Sequence, residues 1–133
     1  MTPAYRYRRI WFVLGWGMIA AVIVLSLIPL EVDLGHNRDK LAHFTSYAGL
    51  SFWFGMLVEG RGRELRIAAA FAALGVALEF LQELTDYRTF EVADMIANAT
   101  GAALGWGVAQ TPLRNVLGWA ERLIAAASPG RAP

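Results

Sequence analysis

Apolar residues fall in four runs, each long enough to form a helix and each closed by a short polar stretch. Residues 10–30 carry no charge and make roughly 30 Å of helix, the thickness of a hydrocarbon core. Residues 31–38, with Asp33, Gly35, His36 and Asn37, read as a loop. A second run covers 41–58, and a basic connector with Arg61, Arg63 and Arg66 follows. The third run, 67–84, is rich in alanine and holds Glu79, Gln82 and Glu83 in its last third. After a polar turn over 85–90, the fourth run, 92–110, is interrupted near its start by Asp94 and Asn98. Thr111-Pro112 then forms an N-cap and N1 pair. Beyond it Leu113, Val116, Leu117, Ala120, Leu123 and Ile124 share one stripe, with Arg114, Asn115, Glu121 and Arg122 opposite, predicting an amphipathic helix along a membrane surface.

The pattern predicts an all-α polytopic membrane protein. Its parts are a basic head over 1–9, a bundle of four transmembrane helices within 10–110, an interfacial helix over 111–127 and a flexible tail over 128–133. A basic head before an apolar run also describes a signal peptide. The run is long for one, and Ser26-Leu27-Ile28-Pro29 is a poor cleavage site, which favours an uncleaved first span.

Composition agrees with this reading. Of the 133 residues 56% are hydrophobic and only 17% charged, and the mean hydropathy is +0.41; a soluble domain carries about 25% charged residues. The net charge of +1 offers nothing to a nucleic acid, and the absence of cysteine excludes disulfides, thiolate ligands and cysteine nucleophiles. The distribution of charge is informative. Arg6, Arg8 and Arg9, then Arg61, Arg63 and Arg66, then Arg114, Arg122 and Arg131 lie on one side of a four-span arrangement. The other loops are short and of mixed sign, so the positive-inside rule places both termini in the cytoplasm.

That topology brings the polar residues to one level. From helical rise, His43 lies about 6 Å, Glu79 about 7 Å and Asn98 about 9 Å into their spans, all from the outer side. Asp39, His43, Tyr47 and Leu50 share a helix face, as do Asp94, Asn98, Gly101 and Gly105. Taken singly, most have ordinary explanations. Asp39 N-caps the second helix, Lys40 snorkels, Tyr47 packs, Arg88 is a rim charge, and Asp94 complements a helix dipole. A carboxylate as deep as Glu79 costs a few kcal/mol unless paired, neutral or wetted. The convergence is what the separate explanations leave out.

The order Asp39-Lys40-x-x-His43-Phe44-x-x-Tyr47-x-x-Leu50, Glu79-x-x-Gln82, Arg88 and Asp94-x-x-x-Asn98-x-x-Gly101, preceded by Ser26-x-x-Pro29, resembles the VanZ-like family. Glu91 is a small departure, at a position where aspartate is as common. The resemblance implies a small integral protein of the bacterial cytoplasmic (inner) membrane, of the type named for teicoplanin resistance, and leaves its biochemistry unsettled. It marks Asp39, Lys40, His43, Tyr47, Glu79, Gln82, Arg88, Asp94 and Asn98.

Three functions compete. In the first, an enzyme acts on an anionic or polyprenyl-linked envelope lipid: His43, Asp39 and Glu79 are catalytic, and Lys40, Tyr47, Gln82, Arg88, Asp94 and Asn98 bind substrate. In the second, the pocket binds a lipid or envelope precursor without turnover. In the third, the polar ring clamps the bundle. Transport is disfavoured by apolar inner halves. No cofactor is expected, and no metal site, because Lys40 opposes a cation and the core offers no second histidine.

Overall fold

The computed structural model describes residues 5–29, 36–86 and 90–127, and these form five α-helices and no strand. They are α1 (Arg8–Leu27), α2 (His36–Leu57), α3 (Arg61–Glu83), α4 (Val92–Ala109) and, after a 3-10 turn over Pro112–Asn115, α5 (Val116–Ala127). α1 ends where Ile28 turns extended, with ψ 147°, as a residue ahead of proline must. α3 begins after Gly60, whose φ of 105° suits glycine, so the turn is tight and the predicted connector over 61–66 is helical. α2 starts at His36, inside the predicted loop. Asp39 therefore sits in its first turn and is not its N-cap.

The first turn of α1 has no capping side chain of its own. Glu121 of α5 takes that place. Its carboxylate accepts from Arg6 N and Tyr7 N at 2.9 Å each and from Trp11 Nε1 at 2.8 Å. Burial pushes this carboxyl up, but the three N–H bonds and the Arg6 charge outweigh it and hold Glu121 below the ordinary carboxylate range. Glu121→Ala is expected to cost about 1–2 kcal/mol, as loss of a cap does, read as a lower unfolding midpoint in detergent. Because the folded pKa is lowered, Glu121's contribution is complete above the ordinary glutamate range and disappears as pH falls through the folded value. Glu121→Gln should remove that acid-side dependence.

The first four helices run alternately up and down. At one end Tyr5 Oη donates to Met56 O at 3.1 Å, joining the start of α1 to the end of α2. At the other, Gln82 Nε2 donates to Ser26 O at 2.8 Å, joining the ends of α3 and α1. α2 and α4 are the closest pair. A Cβ at Gly101 would collide with Phe44 O and one at Gly105 with Ala48 O, while Gly55 leaves room for Ala109. The two backbones thus touch with no side chain between them. α3 approaches through Gly75, where a Cβ would lie 2.7 Å from that of Asn98. α1 lies on α2 through Gly15, which faces the rings of Trp53 and Phe54. There Trp53 Nε1 donates to Trp11 O at 3.0 Å, and the two indoles meet edge to face at 6.0 Å.

The interior is unusually polar. Ser51, Glu64, Glu79, Gln82, Asp94 and Asn98 are buried, as are Tyr47, Leu50, Phe54, Phe71 and Ala102, whereas Val13, Trp16, Leu25, Leu41, Phe80, Ile96 and Leu104 project outward. A protein folded by water would reverse this arrangement. Near the basic end, Glu64 accepts from Arg114 Nη2 at 3.2 Å and from Gln110 Nε2, and Arg114 Nη2 also lies 3.4 Å from Val58 O. Arg114 and Glu121, predicted on the solvent face of an interfacial helix, instead fasten α5 and its turn to the bundle. Leu117 is buried there against Met56 and Leu57, while Leu113, Trp119, Leu123 and Ile124 stay exposed.

Among the described residues only α1, with a mean hydropathy of 2.4, is long and apolar enough by itself to cross a bilayer. α2, α3 and α4 have 22, 23 and 18 residues, but the polar groups of the interior depress their hydropathy. The four-helix bundle of the sequence reading is present, and one of its helices stands as a span on hydropathy alone. Residues 128–133, predicted as a tail, and Arg88, predicted to bind substrate, lie outside the described residues.

Candidate functional site

The polar residues of α2, α3 and α4 meet at the end of the bundle opposite Glu64. α2 contributes Asp39, Lys40, His43 and Tyr47 from one face, as the spacing of three and four requires. α4 contributes Asp94 from its first turn and Asn98 one turn deeper, on the face whose glycines bring it against α2. Glu79 enters from α3, close to where Gly75 admits Asn98.

The cluster grades from wet to dry. Asp39 keeps 37% of its side chain exposed and His43 12%, whereas Asn98 and Glu79 keep 1% each. His43 Nδ1 lies 3.1 Å from Asn98 Oδ1. With the amide oxygen as acceptor, Nδ1 carries the proton, and in the neutral ring Nε2 carries the lone pair. Nε2 is turned to the mouth, 3.8 Å from Asp94 Oδ2 and 4.0 Å from Asp39 Oδ2, beyond hydrogen-bond reach of either. At the floor, Glu79 Oε1 accepts from Glu91 N at 2.7 Å, while Glu79 Oε2 and the hydroxyl of Tyr47 have no hydrogen-bond partner.

Two predicted substrate-binding residues are spent on the protein itself. Lys40 Nζ donates to Glu91 Oε2 at 2.6 Å and to Asp94 Oδ1 at 3.1 Å, bracing α2 against the start of α4. Gln82 gives its amide to Ser26 O of α1, away from His43. The ammonium that argued against a cation thus has two carboxylates of its own. Sequence reasoning noted Glu91 only as a small departure from the family pattern and gave it no role, yet it holds Lys40 through its side chain and Glu79 through its backbone N–H. The signal available was its place just ahead of α4, where a backbone N–H is unsatisfied by the helix. It also missed Gly75, four residues before Glu79, without which Asn98 would not fit.

The cluster can move a proton through His43, whose Nδ1 is held on Asn98 Oδ1, and can hold positive charge through four carboxylates, Asp39, Glu79, Glu91 and Asp94. Lys40 is the one lysine among its described members.

The sequence profile of the VanZ/LLP1 family matches residues 2–114, which takes in α1 to α4 and the whole cluster. An uncharacterized protein of Schizosaccharomyces pombe, C11E3.10, is 29% identical over 112 residues, covering 78% of this chain and 67% of that protein. No solved structure matches. The relative is a yeast protein, so a bacterial source does not follow from the match. Family and apolar first helix together indicate a membrane protein. With the motif residues of α2, α3 and α4 gathered at one end of an all-α bundle, and the profile match running through all of them, this chain belongs to the VanZ/LLP1 family.

Proposed function

We propose that α1 to α4 each cross the membrane, that both termini face the cytoplasm, and that the cluster opens to the outer leaflet, where it acts on the polar head of a lipid-linked substrate. His43 is the general acid or base, oriented by Asn98. Asp39 and Asp94 flank its reactive nitrogen, and Glu79 with Tyr47 forms the floor that receives the head group. The observation that carries this reading is the His43–Asn98 contact of 3.1 Å, which points Nε2 to the exposed mouth and away from the bundle. The outward apolar residues of all four helices support the four crossings. The basic residues at the Glu64 end support the orientation.

The compartment proposed is the cytoplasmic membrane of a bacterium, with a link to glycopeptide resistance as one setting. A yeast relative favours a lipid as the ligand over a peptidoglycan precursor, because yeast has no peptidoglycan. The clamp reading suits Lys40 and Gln82, whose side chains tie helices together.

The test combines native mass spectrometry of protein taken from its own membrane with turnover of the retained lipid in proteoliposomes. His43→Ala is expected to reduce turnover by about a hundredfold or more, the usual worth of a general acid or base, with the lipid still retained. Glu79→Gln should weaken retention. If the wild-type protein retains no lipid, or both variants behave as wild type, the proposal fails. A lipid retained unchanged by wild type and His43→Ala alike would assign binding without catalysis.

A further inference from the structure

Asp39, His43 and Asp94 present three ligand atoms within 4.8 Å of one another, one from each residue. Two are carboxylate oxygens and the third is His43 Nε2, which carries a lone pair once Nδ1–H is given to Asn98. Asp94 Oδ2 and Nε2 face each other at 3.8 Å as two acceptors with no proton between them in the neutral ring. That arrangement repels unless something positive lies at its centre. Lys40 does not supply the charge: its ammonium is on the other oxygen of Asp94.

A second observation points the same way. Glu79, 1% exposed, leaves Oε2 without a hydrogen-bond partner at the floor of the same cluster. A fully buried carboxyl oxygen with no partner marks a polar group at this end of the bundle that the protein itself leaves unsatisfied.

We propose that Asp39, His43 and Asp94 bind a divalent first-row metal ion at the mouth of the bundle. The nitrogen and two carboxylate oxygens suit Zn²⁺ or Mn²⁺ better than Mg²⁺ or Ca²⁺, which take oxygen ligands. Bonds of about 2.0–2.2 Å require each side chain to move by a few tenths of an ångström. Asn98 on Nδ1 and Lys40 on Asp94 Oδ1 are the outer partners that such a site needs to fix its ligands. Three protein ligands leave open positions facing the exposed side, where a phosphate or carboxylate oxygen can coordinate. With the ion bound, His43 Nε2 is a ligand and does not take up a proton. That last use therefore rests only on the head-group binding proposed above, with the ion in place of His43 as the activating group; the metal site itself does not rest on it.

The experiment uses the full chain in detergent, stripped with a chelator, dialysed against Zn²⁺ or Mn²⁺, and assayed by elemental analysis and by Mn²⁺ paramagnetic resonance. About one ion per chain is expected, with a bound Mn²⁺ spectrum that Zn²⁺ displaces and equal Mg²⁺ does not. Asp39→Asn, at the most exposed ligand and least able to disturb folding, should weaken uptake at least tenfold. His43→Ala and Asp94→Asn should abolish it, and Glu83→Gln should leave it unchanged. Less than stoichiometric uptake by the wild type, or uptake equal in wild type, Asp39→Asn and His43→Ala, overturns the site. Metal bound without any retained lipid would sink the proposed function and keep the site. Lipid retained without metal would do the opposite.

Discussion

Gly101→Leu and Gly105→Leu are each expected to prevent the bundle from assembling, at a cost well above the 1–3 kcal/mol or so of ordinary overpacking. An added Cβ at either position meets main-chain oxygen, Phe44 O and Ala48 O respectively, and a backbone on a packed helix cannot step aside as a side-chain tip can. Even alanine should be damaging, since its Cβ alone makes the collision. The damage would also separate α4 from α2, and so Asp94 and Asn98 from Lys40 and His43. Size-exclusion profiles and unfolding midpoints in detergent check this. Gly49 and Gly107 are the controls, since a Cβ at either meets nothing within 4 Å. There Gly→Ala should be neutral or stabilise by about 0.5–1 kcal/mol through helix propensity. Equal effects at all four glycines would mean that propensity, and not close approach, governs them.

Arg114→Ala is expected to destabilise the protein by about 3–5 kcal/mol, because it strands a buried carboxylate. Glu64 has a side-chain exposure of 1% against 31% for Arg114, so the acid cannot turn to water when its partner goes. Gln110 would remain on Glu64, but a neutral amide does not cancel a charge. The double variant Glu64→Gln with Arg114→Gln should recover most of the loss, since two neutral groups avoid the desolvation of an isolated ion. Unfolding midpoints of the two singles and the double form a cycle. A double variant as unstable as the sum of the singles would show that the two residues do not interact.

Much of the fold was legible because the apolar runs are long and the breaks between them short. The first four helices ended within a few residues of the predicted limits at 30, 58, 84 and 110. The site was legible as a face, and its members came from counting threes and fours along α2 and α4. Periodicity gives the side of a helix a residue occupies and not the neighbour it meets. Lys40 therefore looked available for a substrate until Glu91 and Asp94 arrived from a distant segment. Gln82 shares a helix with Glu79 but is rotated far enough to reach α1. Glu64 and Arg114 were hidden by their surroundings: both sit in arginine-rich stretches that the positive-inside rule explains without any pairing. Glu121 was obscured in the same way, since on an amphipathic pattern an acid opposite the apolar stripe belongs to water.

The bond between Glu121 and the head of α1 also sets an order of events. Arg6 N, Tyr7 N and Trp11 Nε1 leave the ribosome early, and the carboxylate that receives them is made 110 residues after Trp11. Until then these three N–H groups lack their acceptor, and only α2, through Met56 O and Trp53, holds the head of the first helix. Synthesis of α5 supplies that acceptor, so the head of α1 is capped by a segment made well after it.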